Sequence, residues 1–167
     1  MSHRVASRRA LAACRGKFHA THVKAAAARP RTVVEAHAKG RGLRAGDAVA
    51  HVKAGLPVAE FDALRGLLGL SVEALADKID ISIATLSRRR HSGRPLDAGR
   101  SDRLLRFARL FRLAVELHDG NEEAARAWLR KPARALDGKT PLDHADTEAG
   151  AREVENLIGR LEHGVYT

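Results

Sequence analysis

The chain has 167 residues, 44% of them hydrophobic, 30% charged and only 4% aromatic, with a formal net charge of +10 and a single cysteine, Cys14. That length builds one or two small domains with a real core. One cysteine excludes an internal disulfide, and no apolar run approaches the 18 or so residues a membrane helix needs, so the expected setting is a reducing cytoplasm with no membrane partner. The charge is uneven: residues 1–60 hold twelve of the 30 Lys and Arg against three acids, Glu35, Asp47 and Glu60, a net of +9 that leaves +1 for the rest.

Residues 1–46 form a basic N-terminal extension. Its opening apolar residues are broken by Ser7, Arg8 and Arg9, so no secretory core is present. The Ala-rich start suits a helix as far as Arg29-Pro30, because the residue before a proline leaves the α region. A short helix near 33–39 then meets Gly40-Arg41-Gly42, a linker. The arm's charge fits sequence-independent contacts to phosphate and fits mere solvation equally well. A helix over 47–53 stops at Gly55-Leu56-Pro57, and Phe61, Leu64, Leu67 and Leu68 at helical spacing give another that Gly69 ends.

Residues 70–90 carry the sharpest pattern in the chain. Ser71 caps a first helix because its hydroxyl can accept from an orphan backbone N–H, and Val72, Leu75, Ala76 and Ile79 repeat at i, i+3, i+4 and i+7 to make one apolar stripe. Asp80-Ile81-Ser82 takes the turn, and Asp is among the residues that tolerate a positive φ. Ser82 caps a second helix that is expected to bury Ile83 and Leu86. Thr85, Ser87, Arg88, Arg89 and Arg90 are left to solvent, with Arg90 suited to phosphate. This bihelical unit resembles the helix-turn-helix of Xre/Cro-type repressors, except that a glycine is usual where Asp80 stands. The resemblance implies that Ser82, Thr85, Ser87, Arg88, Arg89 and Arg90 meet operator DNA.

After Ser92-Gly93-Arg94-Pro95, residues 98–117 read as one long helix with Leu104, Leu105, Ala108, Phe111 and Val115 inward, ended by His118-Asp119-Gly120. Arg103, Arg106, Arg109 and Arg112 fall three apart and rotate around it, which argues for acidic partners on several sides. Asn121 caps the next helix, whose apolar face holds Ala125, Trp128 and Leu129. Thr140 caps a short helix with Pro141 at its first position, and Thr147 caps a last one striped by Ala151, Val154, Leu157, Ile158 and Leu161, with Gly164 as its stop. No stretch alternates strictly, so the fold is all-α. Its expected units are residues 1–46, a helix-turn-helix domain over 47–117 and a small helical domain over 118–167.

Ser101-Asp102-Arg103-Leu104-Leu105-Arg106, Ala125-Arg126-Ala127-Trp128-Leu129, Ala135-Leu136-Asp137-Gly138-Lys139-Thr140-Pro141-Leu142 and Arg160-Leu161-Glu162-His163-Gly164-Val165-Tyr166 occur in an order that resembles antitoxins of the Xre/MbcA/ParS family. The resemblance covers about residues 47–167. It implies a helix-turn-helix that represses its own operon, a C-terminal module that binds a RES-domain toxin that consumes NAD or ADP-ribosylates a target, assembly as a homodimer or larger complex with toxin, and no catalytic activity. By that resemblance the toxin is met by Trp128, Leu157, Leu161, Glu162, His163, Gly164, Val165, Tyr166 and Thr167, with the apolar tail directed into the toxin's cleft. A plain repressor whose C-terminal part dimerises or senses a ligand is the other reading.

Reactive chemistry is not expected. Cys14, His19 and His22 lack a fourth ligand at fixed spacing, so no metal site is assigned. The run Gly40-Arg41-Gly42-Leu43-Arg44-Ala45-Gly46 matches neither phosphate-binding pattern, and Asp143 and His144 read as surface groups; no cofactor is implied.

Overall fold

A computed structural model of the chain describes residues 32–40 and 45–164. The helix expected before Arg29-Pro30, the Cys14, His19 and His22 group, Arg41 to Arg44 of the glycine-rich loop, and the tail residues Val165, Tyr166 and Thr167 lie outside the described residues. Those described are helical, with no strand: α1 (Val33–Ala38), α2 (Ala45–Ala54), α3 (Val58–Leu68), α4 (Val72–Lys78), α5 (Ile83–Ser92), α6 (Ala98–Leu117), α7 (Glu122–Leu129), a 3-10 turn (Arg134–Leu136), α8 (Pro141–His144) and α9 (Glu148–Glu162).

Helix α6 is the axle of the molecule. Asp97 caps it by accepting from the Arg100 N–H, and Leu104, Leu105, Phe107, Ala108, Leu110, Phe111 and Ala114 bury more than one side of it, while Val115 stays half-buried. A helix apolar around most of its circumference has to be wrapped by others. Here α1, α2 and α3 pack on it from the N-terminal side of the chain, and α7 and α9 from the C-terminal side. The core is therefore continuous, with Phe61, Leu64 and Leu75 at one end and Leu129, Val154 and Ile158 at the other.

Helix α1 lies within the stretch expected as an extension, yet it is part of this core. Val34 is fully buried, and Glu60 of α3, itself buried, accepts hydrogen bonds from the Val33 and Val34 N–H groups at 2.9 and 2.7 Å. A carboxylate on the first turn of a helix meets both its orphan donors and the positive end of its dipole.

Two close approaches fix the connections. Gly55 has φ of 86°, and a Cβ there would stand 2.3 Å from the Leu96 carbonyl oxygen; beside it Leu96 N–H donates to Leu56 O and Leu56 N–H donates to the buried Ser101 Oγ. At Gly150 a Cβ would fall 1.9 Å from the His144 carbonyl oxygen, so α9 can start against the end of α8 only with glycine in its first turn.

Candidate nucleic-acid interface and partner surface

The pair α4 and α5 is built as its capping residues require. Ser71 accepts from the Ala74 N–H and Ser82 from the Thr85 N–H. Between the helices Asp80 sits at φ of 57°, with Ile81 N–H reaching back to Ala76 O at 3.0 Å. That six-to-one bond with a left-handed residue before it is a Schellman stop, normally made with glycine. Asp80 is held there from outside. Its carbonyl accepts from Arg100 Nε and Nη2 at 2.9 and 2.7 Å, and Arg103 bonds the neighbouring Ile79 carbonyl at 3.1 Å while pairing with the Asp80 carboxylate. The turn angle is thus set by α6.

The face of α5 differs from the expectation at its first residue. Ile83 is 45% exposed rather than inward; Ile81, in the turn, and Leu86 supply the buried apolar side chains instead. Residues 83, 84, 87 and 88 lie within a 140° arc at 100° per residue, and Ile83, Ala84, Ser87 and Arg88 are all exposed. Thr85 is half-buried; its Oγ1 accepts from Ser82 Oγ at 2.9 Å and from Arg88 Nη2 at 3.1 Å, so it orients Arg88. Arg89 turns away, donating to the Pro95 carbonyl and pairing with Asp97, and Arg90 Nη2 donates to both oxygens of Asp62 at 2.8 and 2.9 Å. Thr85, Ser87, Arg88, Arg89, His91, Ser92 and Arg94 line a shallow depression of about 760 Å³. Sequence reasoning passed over Ile83, His91 and Arg94. Exposure of Ile83 leaves no local trace, because an isoleucine just after a cap can turn either way.

The arginines of α6 have no need of outside acids. Arg106 is 10% exposed and bonds Glu148, Asp102 and the Asp146 carbonyl; Arg109 pairs with Glu148 and Glu155, and Arg112 with Glu116. Burial works to raise the Glu148 carboxyl, but Arg109 and Arg106 outweigh it and hold it below the usual range. The His37 imidazole is held below its ordinary 6.5, first by burial and then by Arg112 and Arg109.

In the C-terminal module Asn121, Thr140 and Thr147 cap their helices as expected. Trp128 is half-buried and meets His118 edge to face at 6.4 Å between ring centres. Leu157, expected at a partner's surface, is 8% exposed and belongs to the core with Ile158. Its apolar stripe is used up in docking α9 on α6. Leu161 is half-buried, and Glu162, His163 and Gly164 are exposed. Beside them Ala135, Leu136, Glu153, Glu155, Asn156, Gly159, Arg160 and His163 line a depression of about 670 Å³.

Side chains also stitch the two halves. Arg126 of α7 donates from Nε to the Leu67 carbonyl at 2.6 Å, lies over the Phe111 ring at 5.7 Å, and Arg130 reaches the Gly69 carbonyl at 3.5 Å, so arginines from the C-terminal module close the end of α3. Lys78 of α4 pairs with Asp143 of α8 at 2.6 Å, and this bond with one from Thr140 holds the Asp143 carboxyl below the usual range.

A capped bihelical unit with a basic outer face, joined to a second helical module, defines a helix-turn-helix protein with an appended binding domain. Two family descriptions match. The antitoxin Xre-like helix-turn-helix domain matches residues 47–109, and the antitoxin Xre/MbcA/ParS C-terminal toxin-binding domain matches residues 113–164. The chain is 36% identical over 113 residues to an antitoxin Xre of Photorhabdus laumondii, covering 68% of this chain and 76% of that one. It is 35% identical over 117 residues to an antitoxin Xre of Yersinia enterocolitica, covering 70% and 78%. Over 131 residues it is 24% identical to a protein of Sphingobium named Prs ADP-ribosylating antitoxin, covering 72% and 80%. The chain belongs to the Xre family of antitoxins. It is a regulatory binding protein rather than an enzyme, with a toxin and DNA as the partners its two domains imply. Among the described residues no helix is long and apolar enough to cross a membrane.

Proposed function

We propose that this antitoxin neutralises a RES-domain toxin by direct binding through its C-terminal module, and represses its own operon as a homodimer through α4 and α5, acting in the cytoplasm. The observation that carries the reading is the end of α9: residues 113–164 match a toxin-binding domain, and that match runs out on Glu162, His163 and Gly164, exposed beside an open depression. Val165, Tyr166 and Thr167 follow directly, an apolar and aromatic tail of the kind that anchors in a cleft with few torsions to freeze. The name of the Sphingobium relative couples an antitoxin of this kind to ADP-ribosylation, which supports a RES-type partner. Leu157 and Trp128 serve the module's own packing, and Leu161 sits at the border.

Of the three arginines in a row on α5, Arg88 has the freedom to read a base, Arg89 and Arg90 being engaged with Pro95, Asp97 and Asp62. Ser82 and Thr85 position it, and Ser87 shares its face. Co-expression of a RES-domain toxin with the chain lacking residues 162–167 tests the toxin half. Growth arrest or loss of NAD, with dimerisation and DNA binding kept, is the expected result; full protection by the truncated chain overturns tail insertion.

A further inference from the structure

Among the described residues two large hydrophobic side chains are exposed, Val49 and Ile83. Isolated apolar side chains are ordinary on protein surfaces; position makes one informative. Ile83 is the first residue of α5, at the end of the helix that a helix-turn-helix directs at base edges, and it shares its face with Ala84, Ser87 and Arg88. The hydroxyls nearest to it are occupied: Ser82 Oγ accepts from the Thr85 N–H and donates to Thr85 Oγ1, which also accepts from Arg88. The leading end of this face therefore offers carbon, and the following turn offers a guanidinium.

In the major groove one base-pair edge presents carbon, the C5-methyl of thymine, whereas the other features are hydrogen-bond donors and acceptors. An apolar side chain set against those polar edges would strip their water and return nothing. We infer that Ile83, backed by Ala84, reads a thymine methyl in each operator half-site, beside the base met by Arg88. The inference rests on the DNA-binding reading above. The surroundings favour duplex DNA over a second protein as the occupant, since Arg88 shares the exposed face of Ile83 and lines a depression together with Arg94.

The test begins with selection of a binding site from a random duplex library by the full chain, followed by resynthesis of that site with deoxyuridine at each thymine in turn, which removes one methyl and nothing else. One thymine per half-site should lose roughly 3- to 10-fold in affinity on replacement, the range expected for one buried methyl or a little more. Ile83→Ala should bind the thymine and uracil duplexes alike, at the affinity the parent shows for uracil. Ile83→Gln should shift preference at that position toward adenine, whose N6 and N7 suit an amide. Because Ile83 is exposed, both variants should melt with the parent, and circular dichroism checks this. Indifference of the parent to uracil at every position overturns the inference, as does a uracil penalty that persists in Ile83→Ala. So does an Ile83→Ala that alters self-association and leaves DNA binding untouched. Failure to enrich any sequence, or an Arg88→Ala that binds the selected site like the parent, overturns the DNA-binding reading itself and the inference with it.

Discussion

Helices α5 and α6 are both rich in arginine, and the two spend that charge in opposite ways. On α6 Arg100, Arg103, Arg106, Arg109 and Arg112 all find internal partners, on Asp97, Asp80, Asp102, Glu148, Glu155 and Glu116. On α5 Arg88 bonds a threonine hydroxyl and, among the described residues, its guanidinium faces no carboxylate within ion-pair distance, while Arg89 and Arg90 each meet one. The lesson is that a basic helix announces an acidic partner only after the acids of the folded chain have been counted, since a charge matched inside is already neutralised for anything outside.

The comparison breaks first if α6 can lose its charge cheaply. Arg106→Met keeps the apolar stem, removes the guanidinium and leaves Glu148 and the Asp146 carbonyl short of a donor, so about 2 kcal/mol of stability should go. Urea unfolding read by circular dichroism measures it, and operator affinity of the folded fraction should hold. Arg88→Ala should do the converse. Stability should move by less than about 0.5 kcal/mol while specific binding weakens by about 1–3 kcal/mol relative to random duplex, by titration at fixed salt. Arg89→Ala sharpens the boundary within α5: loss of its tie to Pro95 and Asp97 should cost about 1 kcal/mol of stability and leave the ranking of duplex sequences unchanged. The smallest effect belongs to His37, whose proton is opposed by burial and by Arg112 and Arg109. The folded state binds that proton less readily than the unfolded chain, so its contribution is constant above about pH 6.5, declines as pH falls from there to the lowered value, and levels off below. Melting temperatures across that window should flatten in His37→Gln.

Local chemistry was legible where a side chain acts on its own backbone. Ser71, Ser82, Asn121, Thr140 and Thr147 cap as their positions suggest, and α6 runs over residues 98–117. Legibility ended where the partner lies far along the chain. Glu60 meets α1 from 26 and 27 residues away, and Arg106 meets Glu148 from 42, so neither shows in any window of periodicity. Ile83 stands three residues before Leu86 on the helix expected to bury both. That spacing leaves a 60° offset, enough to carry it past the rim of the buried face once Ile81 fills the core. Leu157 lies 8% exposed because α6 claims its stripe of α9, a demand that no local window of α9 displays.

Arg126 and Arg130 finish α3 from the C-terminal module, and the carbonyls they reach belong to the end of the helix that leads directly into α4. The two domains are thus not interchangeable cassettes. A recombinant that joined this DNA-reading half to a different C-terminal module would inherit an open helix end at Leu67 and Gly69 unless the newcomer carried donors at the same two places. Shuffling between relatives should therefore succeed best when residues 67–69 and 126–130 travel together.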